Sequence, residues 1–241
     1  LSPISECECG FIKTRNHNIA VDFGRADYQG RLGEYYRKNG IRYCDTLIFS
    51  HYHGDHIGAF AAAGSAGYLY IDGATVYLPS DVTTHAGNPE QEITAQRQAE
   101  IINILESHNC TIVQLTTDQE LQLEDNVRLK FYNTDHTVYD SGEHMAMDYN
   151  DYSICFELFA NDSFIYNFAA DLGPEGQNVM AGKLHKCNVL KSEHHGWDNG
   201  ASNLKKGFIL NVYPDAVITA NGTEHLPLMA RGLGCFPALF A

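Results

Sequence analysis

Positive charge is scarce in this chain. Its 241 residues carry 16 Lys and Arg against 30 Asp and Glu, a formal net charge of −14. A protein that grips long nucleic acid presents a broad basic face; this balance argues against one and leaves only a local basic groove open. Long apolar runs are missing as well. The least charged stretch, Ile57 to Ile71, has fifteen residues, three of them glycine, whereas a membrane-spanning helix needs about 20 apolar residues. No positively charged start followed by a hydrophobic run is seen, so no signal peptide is read. There is no G-x-S-x-G, no P-loop lysine motif and no G-x-G-x-x-G. A serine nucleophile on an elbow and a nucleotide-cradling loop therefore have no sequence support.

What is present is ordinary globular composition. Hydrophobic residues make up 44% and charged residues 19% of the chain, which excludes a disordered or fibrous protein. The seven cysteines, Cys7, Cys9, Cys44, Cys110, Cys155, Cys187 and Cys235, are odd in number and scattered. At this length they read as reduced, partly buried thiols and not as a disulfide framework. Cys7 and Cys9 form a C-x-C pair, but no second pair accompanies it to complete a metal site.

No repeat or long Pro/Gly/Ser linker divides the chain, so residues 1–241 read as one domain. Short strands are expected at Ile19–Val21, Thr46–Phe49, Thr111–Leu115, Leu121–Leu123, Val127–Tyr132, Asn188–Leu190 and Asp215–Thr219. Tyr68–Ile71 and Thr75–Leu78 read as a strand pair around Asp72-Gly73. Tyr152–Leu158 and Ser163–Phe168 read as a hairpin turning at Ala160-Asn161-Asp162. Arg31–Lys38 reads as a helix stopped by Gly40. A second helix starts at Asn88-Pro89-Glu90 and ends near His108-Asn109, with Ile93, Ala99, Ile102 and Leu105 on one face. Two β-rich halves, each with helices outside, suggest an α/β protein: a four-layer αββα sandwich of two mixed sheets.

One motif dominates the chemistry. In Ser50-His51-Tyr52-His53-Gly54-Asp55-His56 three imidazoles and a carboxylate follow directly on an apolar strand. Neutral imidazole and carboxylate are the donors that Zn²⁺ prefers. His51 and His53 point the same way if the backbone stays extended, and Asp55 and His56 lie beyond a turn allowed by Gly54, where they can serve a second ion.

This H-x-H-x-D-H pattern resembles the signature of the metallo-β-lactamase superfamily, and further segments follow in that family's order. Asp22 in Val21-Asp22-Phe23-Gly24 resembles an early aspartate that supports the metal loop. Asp171 in Ala169-Ala170-Asp171-Leu172-Gly173 resembles the aspartate that bridges two metals. In Glu193-His194-His195-Gly196, His195 resembles the last histidine ligand, with His194 lining the site. The resemblance implies the αββα fold and a dinuclear zinc site, with Mn²⁺ as the alternative metal. Its ligands would be His51, His53, Asp55, His56, Asp171 and His195.

One departure matters. Many members carry a further histidine upstream of the bridging aspartate; Met147 to Ser153 holds none. Asn150-Asp151-Tyr152-Ser153 instead resembles the N-x-x-S of the branch with the competence protein ComEC domain and the phosphorylcholine esterases. Leu190-Lys191-Ser192-Glu193-His194-His195-Gly196 resembles that branch's "LK…HHG" segment. The His51/His53 site is then one ligand short, with Asn150, His136 and His144 as candidates to fill it.

The resemblance implies hydrolysis by a metal-activated hydroxide, with Asp55 orienting the water and His194 or His225 protonating the leaving group. A small phosphodiester is the leading substrate class. A choline-bearing one would suit an aromatic cage, for which Trp197 is the best-placed residue. The alternatives are a lactone, thioester or β-lactam, and a metal-holding or partner-binding module without activity.

Overall fold

In a computed structural model, the described residues are 8–64, 69–80, 89–134, 149–196 and 206–219. The chain divides between Thr116 and Thr117 into two compact units.

The first unit is a five-stranded sheet in the order β1-β2-β3-β4-β5. Its strands are β1 (Gly10–Lys13), β2 (Asn18–Val21), β3 (Thr46–Ile48), β4 (Thr75–Pro79) and β5 (Thr111–Leu115). Only β1 runs antiparallel to its neighbour. Parallel strands covered on both faces need continuous apolar side chains, and Leu47, Ile48, Val76 and Leu78 are all fully buried. The helices are α1 (Gln29–Lys38), α2 (Gly54–Ala63) and α3 (Pro89–Ser107). Gly40 takes the left-handed conformation, φ +67°, that ends α1. Phe23, Phe49 and Phe60 meet with ring centroids 5.0–5.2 Å apart. This aromatic wedge joins the residues after β2 and β3 to α2. Cys44 lies in the same core, where burial pushes its thiol up to about 12.

The second unit is a six-stranded sheet in the order β11-β10-β9-β8-β7-β6. β6 (Gln119–Glu124), β7 (Val127–Tyr132), β8 (Cys155–Ala160) and β9 (Phe164–Phe168) form an antiparallel meander. β10 (Val189–Lys191) and β11 (Ala216–Ile218) continue it in parallel. α4 (Pro174–Met180) and α5 (Lys206–Val212) belong to this unit. Its core is built on Tyr132, Cys155, Leu172, Met180, Leu190, Phe208 and Val212.

Three expectations are corrected. Tyr70 does not pair with β4, because both edges of β4 are taken by β3 and β5; it forms an isolated parallel bridge with Tyr43 instead. The buried face of α3 is Thr94, Gln98, Ile101 and Leu105, while Ile93 and Ala99 are exposed. Spacing by apolar residues alone misses this face, since two of its four members are polar. Gly54 makes no turn: it opens α2, with His53 as the extended residue before it.

Candidate metal centre

β2 and β3 are parallel neighbours with Val21 opposite Ile48. The residues after them therefore leave the sheet side by side at its carboxyl edge, the usual place for sites in such sheets. Asp22, in the left-handed region at φ 51°, donates its N–H to the Ile48 carbonyl at 3.0 Å. Its buried carboxylate then faces the histidine loop. Oδ1 accepts the Ser50 N–H at 2.9 Å, and Oδ2 accepts the Ser50 hydroxyl at 2.7 Å and the His56 Nδ1–H at 2.8 Å.

These bonds fix proton positions. A carboxylate can only accept, so the His56 proton sits on Nδ1 and the lone pair on Nε2. The single Ser50 proton goes to Asp22, so toward His51 Nδ1, 3.0 Å away, the hydroxyl oxygen accepts. His51 is thereby held with its Nε2 lone pair outward as well. Buried carboxylate and hydroxyl partners of this kind set the tautomer and orientation of metal-binding imidazoles. The His51 ring centroid lies 4.1 Å from that of His56 and 4.7 Å from that of His53. Arg97 of α3 donates to the Tyr52 carbonyl at 3.4 Å, placing a cation beside this loop.

In the second unit, Asp171 follows β9 after a left-handed Ala170, φ 47°. The Ala170 carbonyl accepts from the Lys191 ammonium at 2.9 Å and from the His194 N–H at 3.0 Å. His194 and His195 are also left-handed, at φ 43° and 56°. Such backbone costs on the order of 1 kcal/mol per residue and tends to collect at functional sites. Asp171 Oδ2 lies 3.4 Å from His195 Nε2 and 4.0 Å from His194 Nε2; its Oδ1 lies 3.7 Å from the Lys191 ammonium. Beside them Glu193 is buried, and burial raises its carboxyl to about 8.

Asp55 and His56 in the first unit and Asp171 and His195 in the second are candidate metal ligands. Two imidazoles and two carboxylates are a donor set that fits a divalent ion such as zinc. His51 packs against His56, and His53 packs against His51. Asn150 is buried in a short turn where its carbonyl accepts the Ser153 N–H. His136, His144, Trp197 and His225 lie outside the described residues.

Sequence reasoning missed Ser50, Lys191 and Asp151. Asp151 Oδ1 accepts the Gly176 N–H at 2.8 Å, tying the first turn of α4, just beyond Asp171, to the turn before β8. Ser50 and Lys191 were visible only as neighbours of the histidines, and nothing in their spacing marks them as buried.

The solved structures that resemble the chain are distant in sequence. The short form of human tRNase Z is 12% identical, with a TM-score of 0.53 over 93% of this chain and 89% of that one. A B3 metallo-β-lactamase with an active-site glutamic acid is 15% identical, with a TM-score of 0.52 over 87% of this chain and 81% of that one. The chain has the metallo-β-lactamase fold. A diphosphatase of the PhnP family shares this fold at 11% identity and a TM-score of 0.50, over 97% of this chain and 79% of that one. No protein-family profile and no curated protein matches the chain in sequence.

Proposed function

We propose that the protein is a zinc-dependent hydrolase that cleaves a small phosphodiester. The observation that carries this reading is that Asp55, His56, Asp171 and His195 are candidate metal ligands, with His56 oriented by Asp22. When bound, divalent ions lower the pKa of a water they share and screen charge that grows on a substrate oxygen. In this reading His51 and His53 would hold a further ion, and Asp171 would be a ligand. The chain's own residues do the rest. Asp55 orients the attacking water by accepting its proton. His194, whose Nε2 sits 4.0 Å from Asp171, delivers a proton to the leaving oxygen.

Three observations support a phosphoester over other substrates. Two of the structural neighbours are by name a tRNase and a diphosphatase. Arg97 supplies a positive charge beside the His51–His56 loop. The N-x-x-S and LK…HHG segments resemble the ComEC and phosphorylcholine esterase branch. The charge of −14 repels a long polyanion and so favours a small diester. Likeness to a B3 β-lactamase favours a second reading, hydrolysis of a lactone or β-lactam by the same residues.

The two readings separate in one experiment. Zinc-loaded protein is assayed on bis(p-nitrophenyl) phosphate, on a lactone panel and on a chromogenic β-lactam. The expected result is turnover of the diester, lowered more than about 100-fold in His56→Ala, since loss of even an indirect ligand support costs 10–100-fold. Preference for the lactones or the β-lactam would establish the second reading, and a metal-loaded protein inert on all three classes would overturn both.

A further inference from the structure

We infer that Lys191 is the positioning residue of Asp171: its buried ammonium draws Oδ1 to one side and leaves Oδ2 as the oxygen that meets a metal. The inference rests on the metal-site reading above. Lys191 is the last residue of β10, and it stands opposite Phe168, the last of β9, in a parallel pairing. From there its side chain reaches over the β9 end to the turn that carries Asp171.

Lys191 is completely buried. An ammonium withdrawn from water is strongly destabilising unless charge and hydrogen-bond acceptors surround it. Its surroundings supply them from one segment. The Ala170 carbonyl accepts at 2.9 Å, Asp171 Oδ1 lies at 3.7 Å, and the Phe168 ring centroid lies 5.4 Å away in cation–π range. Three features of Phe168-Ala169-Ala170-Asp171, from Phe168, Ala170 and Asp171, are therefore tied to one cation. The Ala170 bond holds the left-handed peptide that turns the chain toward Asp171. The Asp171 contact divides the carboxylate: Oδ1 toward Lys191, Oδ2 toward His195 at 3.4 Å. A carboxylate so divided offers one oxygen in a fixed direction before any ion arrives, and preorganisation of this kind raises affinity by removing an ordering step.

The test reads metal affinity and not turnover. Zinc binding is measured by competition with a chromophoric chelator for the wild type, Lys191→Gln, Asp171→Asn and the double variant. Glutamine keeps a donor for the Ala170 carbonyl and much of the volume, so the variant removes the charge while sparing the fold; thermal unfolding in EDTA confirms this. Lys191→Gln is expected to weaken binding about 10–100-fold. In the Asp171→Asn background the same substitution should change affinity little, because the carboxylate it acts on is gone. Wild-type affinity in Lys191→Gln, or an equal loss in both backgrounds, overturns the assignment. A wild type that binds no zinc overturns the metal reading and this inference with it. Zinc binding without hydrolysis overturns only the proposed activity.

Discussion

Asp22 divides one carboxylate among three donors, the Ser50 amide, the Ser50 hydroxyl and His56 Nδ1, all within 2.9 Å and all buried. Asp22→Asn keeps the shape but replaces one acceptor oxygen with a donor. Either a buried amide hydrogen then faces another donor, or the His56 proton moves to Nε2 and blocks its lone pair. The expected outcome is a loss of about 1–3 kcal/mol in stability and a zinc affinity lowered about 10–100-fold. Denaturant unfolding and chelator competition measure the two separately; unchanged values in both would show that the carboxylate does not support the site. The histidine motif is legible in sequence because six consecutive residues carry it. Asp22 is legible only through resemblance, since an aspartate at a strand end is commonplace. Lys191 is legible only as part of the LK…HHG resemblance, and its burial is not, because Val189-Leu190-Lys191 reads as an ordinary strand end until β9 lies beside it.

At the scale of elements, α2 sets the direction of His56, and Gly58 sets the position of α2. A Cβ on Gly58 would lie 2.8 Å from the Ala26 amide nitrogen and 3.3 Å from the Arg25 Cα. Both are backbone atoms and cannot rotate away. The His56 carbonyl also accepts the Phe23 and Gly24 amides, and the Ala59 amide donates to the Gly24 carbonyl. Gly58→Ala should therefore force α2 off the segment after β2, costing about 1–3 kcal/mol and misplacing His56 relative to Asp22. A thermal melt checks the first effect, and zinc affinity relative to wild type checks the second. An alanine variant as stable as wild type would show that the segment yields. The sequence offers no sign of α2 itself. Its start reads as a metal loop, its body as small residues, and its capping residue, His53, makes no side-chain cap. β3 and β4 are legible because a parallel strand buried on both faces must be apolar throughout. The Tyr70 bridge is not, because which edge of β4 is free depends on strands far along the chain.

At the scale of the molecule, the candidate ligands Asp55 and His56 and the candidate ligands Asp171 and His195 come from stretches more than a hundred residues apart in the chain. The unfolded chain brings these donors together only at the entropic expense of closing that long loop. An ion held by all four consequently binds the folded chain far better than the unfolded one, and its binding energy appears as stability. Carboxylates grouped without a cation also repel one another in a protein already at −14, so neutralisation acts in the same direction. At a free zinc concentration 100 times the dissociation constant, linkage gives about 2.7 kcal/mol. For a chain of this size that corresponds to about 5–10 °C in Tm. The expected outcome is a melting temperature that rises by this amount from EDTA to zinc and keeps rising with the logarithm of zinc concentration. His195→Ala should flatten the dependence while leaving the EDTA value nearly unchanged. A zinc-independent Tm in the wild type would mean that these four side chains do not share an ion.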